Sequence, residues 1–269
     1  MARYVVFTAD DFGAAEDANR AIASAHADGV LTSASIMVCE QAVCHAAALA
    51  RDLPKLGVGL HLTLSDGLAA LGHAEAPRLV GPNGRFRRNP ARAGIAYWYR
   101  RGLRPAIRRE IAAQFERSER LGINLDHADG HQHLHIHPVI WDALTEECAL
   151  RGIRWIRLPV EEARSARRSV AALGRRLEQA AFCALAGRCR RIAAVQGLRV
   201  ADRVIGHLDS GNMDERRILS ALNGLGEGVS EVYSHPGANA DELRALTGAL
   251  VAERLRELEM TPVAFRDLP

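Results

Sequence analysis

Short apolar, β-branched runs alternate with segments of helical period along the whole chain. Eight runs are predicted as strands: Arg3–Thr8, Ser33–Val38, Gly57–Leu62, Ile123–His127, Ile153–Leu158, Arg203–Leu208, Val229–Ser234 and Pro262–Phe265. Seven helices are predicted between them, at about 16–28, 41–52, 105–121, 138–151, 167–195, 214–224 and 240–259. This alternation is typical of a parallel sheet wrapped by helices. It favours an α/β fold of the TIM-like (β/α)-barrel type, although an open doubly wound sheet would show the same alternation.

The length of 269 residues suits one α/β-barrel domain, and no linker rich in Pro, Gly or Ser divides the chain. Two segments exceed what a lean barrel needs: the loop from residue 66 to 103 and the helical stretch at 164–196. Loops longer than about 15 residues in a compact domain usually act as lids or binding loops. We therefore expect a single domain, 1–269, with two lid-like insertions.

Composition excludes several classes of protein. Hydrophobic residues make up 48% and charged residues 25% of the chain, as in ordinary globular domains. The five cysteines include no CxxC pair, so neither a disulfide framework nor a thiolate zinc site is indicated. A net charge of +3 gives no reason to expect nucleic acid binding. Without a long apolar run or a signal-like start, we expect a cytoplasmic protein.

Two adjacent carboxylates, Asp10 and Asp11, follow the apolar start of the first predicted strand. Active sites of parallel barrels are built at that carboxyl edge, where one carboxylate can bind a ligand and the other can act as a base. A solvated turn or a helix N-cap would also place Asp here. His61 lies inside another apolar run, where a buried imidazole needs a partner. That partner is either a metal ion or an ordinary core hydrogen bond.

The segment from Asp126 to His137 is the strongest signal, with five histidines and two aspartates within twelve residues. Neutral imidazole is a common nitrogen ligand of zinc and related ions. In an extended segment, alternation would send His131, His133 and His135 to the same side. Only one or two of them need to contact an ion, and the others can orient ligands or bind substrate. A His-rich surface loop without function is the alternative.

Further polar side chains occur where other predicted strands end. These are Arg157, His207 and His235. A turn residue before Pro or Gly would explain each of them singly. Together with the residues above, they predict a rim that draws on six strands or the loops after them, which is how barrel enzymes assemble a site.

Four motifs occur in order over most of the chain: Ala9-Asp10-Asp11-Phe12-Gly13, Gly59-Leu60-His61-Leu62, Asp129-Gly130-His131-Gln132-His133-Leu134-His135 and His235-Pro236-Gly237. In these motifs the sequence resembles the YdjC-like carbohydrate deacetylase family. By general similarity it looks especially like the branch associated with hopanoid biosynthesis. Thr8, where many members have Asn, and the long Arg-rich segment 164–191 depart from the family pattern.

The resemblance implies an irregular (β/α)-barrel hydrolase that removes acetyl groups from N-acetylated sugars with one divalent ion. Zn²⁺ and Mg²⁺ are the ions we expect. The implied metal ligands are Asp11, His61 and His131, with Asp10 as general base and His235 as general acid. The branch further implies a lipid-linked N-acetylglucosamine substrate.

Four residues are assigned to substrate binding or to the support of the ligands: Asp129, His133, His135 and His207. For Arg157 we infer a role in holding Asp10 ionised and oriented.

Two other functions are compatible with these residues. A metal-dependent phosphoesterase would usually need two or three ions and more carboxylate ligands. A metal-buffering protein would need only the cluster at 127–137 and would leave Asp10 and His235 unexplained. Residues 164–191 form a basic amphipathic pattern that either packs on the barrel or contacts the inner face of a membrane. A homodimer is left open.

Overall fold

The structure of the protein, a computed structural model, describes residues 2–160 and 170–269. The strands described are β1 (Arg3–Phe12), β2 (Ser33–Ile36), β3 (Gly57–Leu62), β4 (His127–Gly130), β5 (Trp155–Ile156), β6 (Arg203–Ile205), β7 (Gly228–Ser234) and β8 (Thr261–Pro262). The α-helices described are α1 (Glu16–Ala27), α2 (Val43–Asp52), α3 (Pro90–Tyr99), α4 (Arg104–Arg120), α5 (Pro138–Leu150), α6 (Val170–Val195), α7 (Glu215–Gly224), α8 (Ala240–Thr247) and α9 (Ala249–Glu257).

All strands pair in parallel, in one curled sheet with the order β5-β4-β3-β2-β1-β7-β6, and β8 pairs with the start of β1. The α/β class predicted from the sequence is confirmed, but the closed TIM barrel is not. Within the described part of the chain, β5 and β6 share no ladder, and an isolated bridge joins Trp155 of β5 to Arg199, which precedes β6. With two and three residues, these strands are too short to close the ring by regular pairing.

Strand alternation separates an apolar core from a polar concave face. Val5 and Phe7 of β1 belong to the large core that includes helix residues, whereas Val6 packs in a second cluster with Trp155, Phe265 and others from β6 and β7. Because every second side chain shares a face, the Val6 face of β1 continues through Thr8 to Asp10. An apolar floor near the start of the strands thus supports polar groups at their carboxyl ends.

Several boundaries differ from those predicted. The strand predicted at Ile123–His127 is found at His127–Gly130. The prediction was misplaced because the inward side chains of this strand are polar and give no apolar signal. The last predicted helix is divided into α8 and α9 by extended backbone at Gly248. The segment at 66–103 contains the unpredicted helix α3, which packs against α5.

The second predicted insertion, 164–196, lies partly outside the described residues; α6 accounts for the part from Val170 to Val195. A lid function for either insertion stays a prediction. In the described ranges, no helix combines the length and apolar character needed to cross a membrane.

Candidate active site

A local irregularity at the end of β1 brings both aspartates to one site. The pairing of β1 with β2 shifts register between Ala9 and Phe12. Within this irregularity Asp11 has a φ of 65°, in the left-handed region that non-glycine residues rarely adopt. The distortion interrupts strict strand alternation, so the successive side chains of Asp10 and Asp11 both reach the concave face.

Asp11, His61 and His131 form a group able to hold a metal ion. The Oδ1 atom of Asp11 lies 3.3 Å from Nε2 of His61 and 3.1 Å from Nδ1 of His131. One ligand atom from each residue lies within 4.8 Å of the others. One carboxylate with two imidazoles matches the donor sets of catalytic zinc sites and leaves positions for water and substrate. The residues present therefore fit a divalent cation.

The orientation of His61 is set by its neighbour on β4. His61 and Asp129 are register partners, and the Nδ1 atom of His61 lies 2.8 Å from Oδ1 of Asp129. This hydrogen bond turns Nε2 toward Asp11, as carboxylates commonly do for metal-binding histidines. Burial alone would lower the pKa of His61, but the charges of Asp129 and Asp10 and its hydrogen bonds raise it well above the ordinary value.

The carboxylate of Asp11 is stabilised in its charged form. Burial alone would raise its pKa, but hydrogen bonds with His131 and His61 outweigh burial and hold the pKa well below the usual range. Asp11 therefore offers a negative charge to a cation at neutral pH.

Asp10 is buried and paired with Arg157. The two guanidinium nitrogens Nη1 and Nη2 each donate a 2.8 Å hydrogen bond to a different oxygen of Asp10. Nη2 also lies 2.8 Å from Oδ2 of Asp129, and the pKa of Asp129 is lowered because Arg157 and His61 outweigh the effect of burial. Asp10, His61 and Asp129 are also close enough to hold an ion. Since Arg157 already pairs with both carboxylates, we interpret this group as an ion-pair network.

Glu231 and Tyr233 of β7 complete the surroundings of Arg157. The Nε atom of Arg157 donates to Oε1 of Glu231 at 2.9 Å, and its guanidinium lies 4.4 Å from the centre of the Tyr233 ring. Thr8 donates a 2.9 Å hydrogen bond to the same oxygen of Glu231, so the residue that departs from the family pattern is hydrogen-bonded. Our sequence interpretation missed both β7 residues. The signal was present, because Glu231, Tyr233 and His235 follow each other at strand spacing.

His235 follows β7 and faces Asp10. Its Nε2 atom lies 4.0 Å from Oδ2 of Asp10, and about a fifth of its side chain is exposed. The carboxylate of Glu242 in α8 accepts a hydrogen bond from the backbone N–H of His235, which holds the loop in place. The imidazole is thus the partly accessible group next to the buried base candidate.

The predicted extended conformation of residues 131–135 is wrong. The segment forms a 3-10 turn in which Gln132 and His133 have φ values of 54° and 53°. Gly130 permits this turn, because a Cβ there would lie 2.7 Å from the Cβ of His135. The turn aims successive imidazoles in different directions, so only His131 joins Asp11.

His133 and His135 have other partners. The Nε2 atom of His133 lies 2.8 Å from the Tyr233 hydroxyl, and that of His135 lies 2.9 Å from the carbonyl oxygen of Arg157. Burial lowers the pKa of His133 well below its ordinary value and that of His135 to about 4, so both rings are neutral at pH 7. The ring of His207 lies 5.1 Å from that of His133. His133 thus contacts Tyr233, His135 and His207, and none of the three histidines belongs to the group around Asp11.

Comparison with solved structures supports the same overall fold. A structure from Enterococcus faecalis V583, provisionally named for cellobiose-phosphate cleavage, superposes with a TM-score of 0.72 at 21% identity, covering 99% of this chain and 98% of that chain. The lactam utilization protein from Thermus thermophilus gives a TM-score of 0.51 at 16% identity, covering 97% and 99%. At these identities the similarity concerns the fold alone.

Similarity to sequences of known families is more specific. A carbohydrate deacetylase from Geobacillus stearothermophilus is 42% identical over 167 residues, covering 62% of each chain. Another from Vibrio vulnificus YJ016 is 43% identical over 154 residues, covering 55% of this chain and 58% of the relative. This chain thus matches about three fifths of the length of these relatives. The family model described as YdjC-like protein matches residues 4–262. The chain therefore belongs to the YdjC-like family.

Proposed function

We propose that this protein is a metal-dependent hydrolase that removes the N-acetyl group from an amino sugar. The observation that carries the proposal is the position of a buried, Arg-paired carboxylate, Asp10, directly beside a three-residue group suited to a cation. The names of the two relatives support the reaction type, since both are carbohydrate deacetylases.

We assign Asp11, His61 and His131 as the residues that would hold the cation. When bound, a divalent cation supplies Lewis-acid activation of the amide carbonyl and of water. Two nitrogen donors with one carboxylate favour Zn²⁺, because Mg²⁺ prefers a shell of oxygen ligands. We therefore propose one zinc ion per chain.

Asp10 is our candidate for the general base. Each carboxylate oxygen has two acceptor positions, so the two bonds from Arg157 leave capacity to accept a proton from water. The fixed geometry of the pair holds Asp10 toward the Asp11 group, and this positioning is the role we propose for Arg157.

His235 is our candidate for the general acid. Its Nε2 atom faces Asp10, the carboxylate that would accept the proton of the attacking water. The partial exposure of the ring leaves room for the leaving amine. A protonated imidazole here would give its proton to the sugar nitrogen as the C–N bond breaks. His133, His135, His207 and Asp129 would then line or support the substrate pocket.

The proposal is tested by measuring acetate release and bound metal in Asp10→Asn and His61→Ala. Asp10→Asn should retain metal and lose about 10²-fold or more of the turnover, as expected for a lost general base. His61→Ala should lose both metal and turnover. The matched control is His26→Ala. His26 lies in the last turn of α1, away from the candidate site, and its ring is hydrogen-bonded to the carbonyl oxygen of Leu31. An active His61→Ala variant would refute the ligand assignment.

The substrate is proposed to be an N-acetylglucosamine conjugate, with a lipid-linked, hopanoid-type conjugate as the finer assignment. Metal-loaded protein should be offered a panel of soluble and lipid-linked N-acetylglucosamine conjugates, with free amine as the readout. Turnover of soluble conjugates alone would remove the lipid assignment and leave deacetylation intact.

The competing phosphoesterase is separated by metal stoichiometry. Two or three ions per chain, with hydrolysis of a phosphate ester and no acetate release, would favour it over the deacetylase.

A further inference from the structure

An exposed apolar face lies on α3, outside the candidate active site. Three large side chains of this helix are exposed: Ile95 at 61%, Trp98 at 50% and Tyr99 at 77%. Because they are three and four residues apart, they share one face of the helix. Ala93 and Tyr97 are buried on the opposite face, which packs on the protein. The exposed face therefore presents apolar surface that the described fold does not cover, as interaction sites do.

The chain around this face is strongly basic. From residue 76 to residue 109, the sequence contains ten arginines and no aspartate or glutamate. Three of them pair with carboxylates outside the segment: Arg85, Arg88 and Arg108. Five others are exposed and have no carboxylate partner within residues 2–160 and 170–269: Arg87, Arg92, Arg100, Arg101 and Arg104. We call these five arginines and the three exposed apolar side chains the α3 surface.

We propose that the α3 surface binds an anionic lipid bilayer. Trp and Tyr side chains favour the boundary between lipid headgroups and acyl chains, and an isoleucine beside them adds apolar area for burial there. Arginine is attracted to the phosphates of anionic lipids and pairs with them in bidentate geometry. Arg92 lies on the same helical face as Ile95, Arg100 and Arg101 follow directly after Tyr99, and Arg104 begins the next α-helix. The charge of the surface thus complements that of such a bilayer.

The α3 surface adjoins the turn that carries His131. The helix packs against residues 131–136 and α5, and the ring of Trp98 lies 5.9 Å from that of His137. A bilayer bound here would therefore lie beside the candidate active site. The proposed binding does not depend on the deacetylase assignment, since it concerns only the exposed side chains and their charge.

Co-sedimentation with vesicles tests the proposal. Wild-type protein should bind phosphatidylcholine vesicles that contain phosphatidylglycerol at low salt and should dissociate at high salt, because salt screens surface charges beyond about 10 Å at 0.1 M. The double variant Ile95→Ser, Tyr99→Ser should bind at least about tenfold more weakly, because it loses apolar burial. The matched control Leu150→Ser, Leu250→Ser alters two leucines exposed elsewhere, at 77% and 51%, and should bind like the wild type.

A second set of variants tests the charge. Each basic side chain near an anionic membrane contributes roughly fivefold to binding, so the triple variant Arg100→Gln, Arg101→Gln, Arg104→Gln should bind at least about tenfold more weakly. Its matched control removes the same charge elsewhere: Arg120→Gln, Arg216→Gln and Arg256→Gln.

Four results would overturn the proposal. They are absence of wild-type binding at low salt, equal weakening in the controls, binding of an oligonucleotide instead of vesicles, or a doubled solution mass that the Ile95→Ser, Tyr99→Ser variant halves. The last result would assign the surface to a second copy of the chain. The thermal unfolding midpoint of each variant separates lost binding from lost folding. Where a variant fails to fold, the binding of wild-type protein to anionic and to neutral vesicles still tests the proposal.

Discussion

Arg157 donates a hydrogen bond of 2.8 Å to each carboxylate oxygen of Asp10, and both side chains are buried. Arginine is the basic side chain whose planar fork matches a carboxylate in this way. Because both side chains are buried, the pair fixes the direction of Asp10 relative to Asp11. The reactivity of the proposed base therefore depends on a residue that need not contact the substrate.

Replacement of Arg157 by lysine should uncouple positioning from metal binding. Lysine keeps the positive charge but offers no planar fork, so Asp10 loses its fixed orientation. We expect turnover to fall by about 10²-fold, as for a misplaced catalytic group, while bound metal stays close to the wild-type level. Steady-state acetate release and elemental analysis check this. Arg151→Lys is the control, because that arginine pairs with Glu119 and Glu147 at the surface. Unchanged turnover in Arg157→Lys would contradict the positioning role.

Asp129→Asn should weaken metal binding through His61. The variant removes the negative charge that favours the Nδ1–H form of His61. It also replaces the carboxylate partner of Arg157 by a neutral amide. Loss of such a supporting carboxylate commonly costs about 10- to 100-fold in metal affinity. Competition with a chromophoric chelator measures the change. Asp126→Asn is the matched control, since Asp126 contacts His127, which is not in the Asp11 group. Equal affinities in both variants would refute the orienting role.

Much of the site was predictable because its residues stand out from their surroundings. His61 interrupts an apolar strand, and Asp10 and Asp11 follow another, so polarity against an apolar background marked them. The structure brings Asp11 and His61 together with His131, as expected from the shared carboxyl edge of parallel strands. The metal-binding role of these residues stays a prediction, because their proximity shows only that they could share an ion.

Other features depend on tertiary contacts that periodicity does not report. β4 has a polar inward face, because Asp129 contacts His61 and Arg157 across strands. The turn at 131–136 needs positive φ values at Gln132 and His133, which a sequence of alternating histidines does not signal. The open seam between β5 and β6 likewise follows from short strands, whose lengths were overestimated from the apolar runs that contain them.

The stability of the protein should fall at mildly acidic pH, in part through His137. Its Nδ1 atom accepts a hydrogen bond from the backbone of Val139 at the start of α5, and burial lowers its pKa to about 4. The unfolded chain therefore binds a proton near pH 6.5, before the folded chain does. The contribution of the neutral ring is complete above about pH 6.5 and is lost as the pH falls toward about 4.

His137→Asn should flatten this pH dependence. Asparagine can still cap α5 but does not titrate. The loss of unfolding free energy between pH 6.5 and pH 4 should therefore shrink by about 1 kcal/mol. This is less than the full pKa shift of His137 would give, because the ring is partly exposed and solvent screens its charge. Urea unfolding with chelator present at every pH measures the effect without a contribution from metal. At pH 8 the two proteins should have similar pH slopes. Identical slopes across the acidic range would show that His137 plays no part.

Glu231→Gln should slow the reaction without releasing the cation. One guanidinium faces three carboxylates, Asp10, Asp129 and Glu231, and Glu231 contacts it through both Nε and Nη2. Glutamine retains one carbonyl oxygen for Arg157 and Thr8 but removes a charge, so Arg157 is less firmly fixed and Asp10 with it. We expect kcat to fall about tenfold, with KM and bound metal little changed, because a hydrogen bond between charged groups contributes about 1.5–3 kcal/mol and part of it remains.

Ser230→Ala, on the opposite face of β7, is the control and should keep wild-type kcat. A Glu231→Gln enzyme with raised KM and unchanged kcat would instead indicate that Glu231 acts on substrate binding.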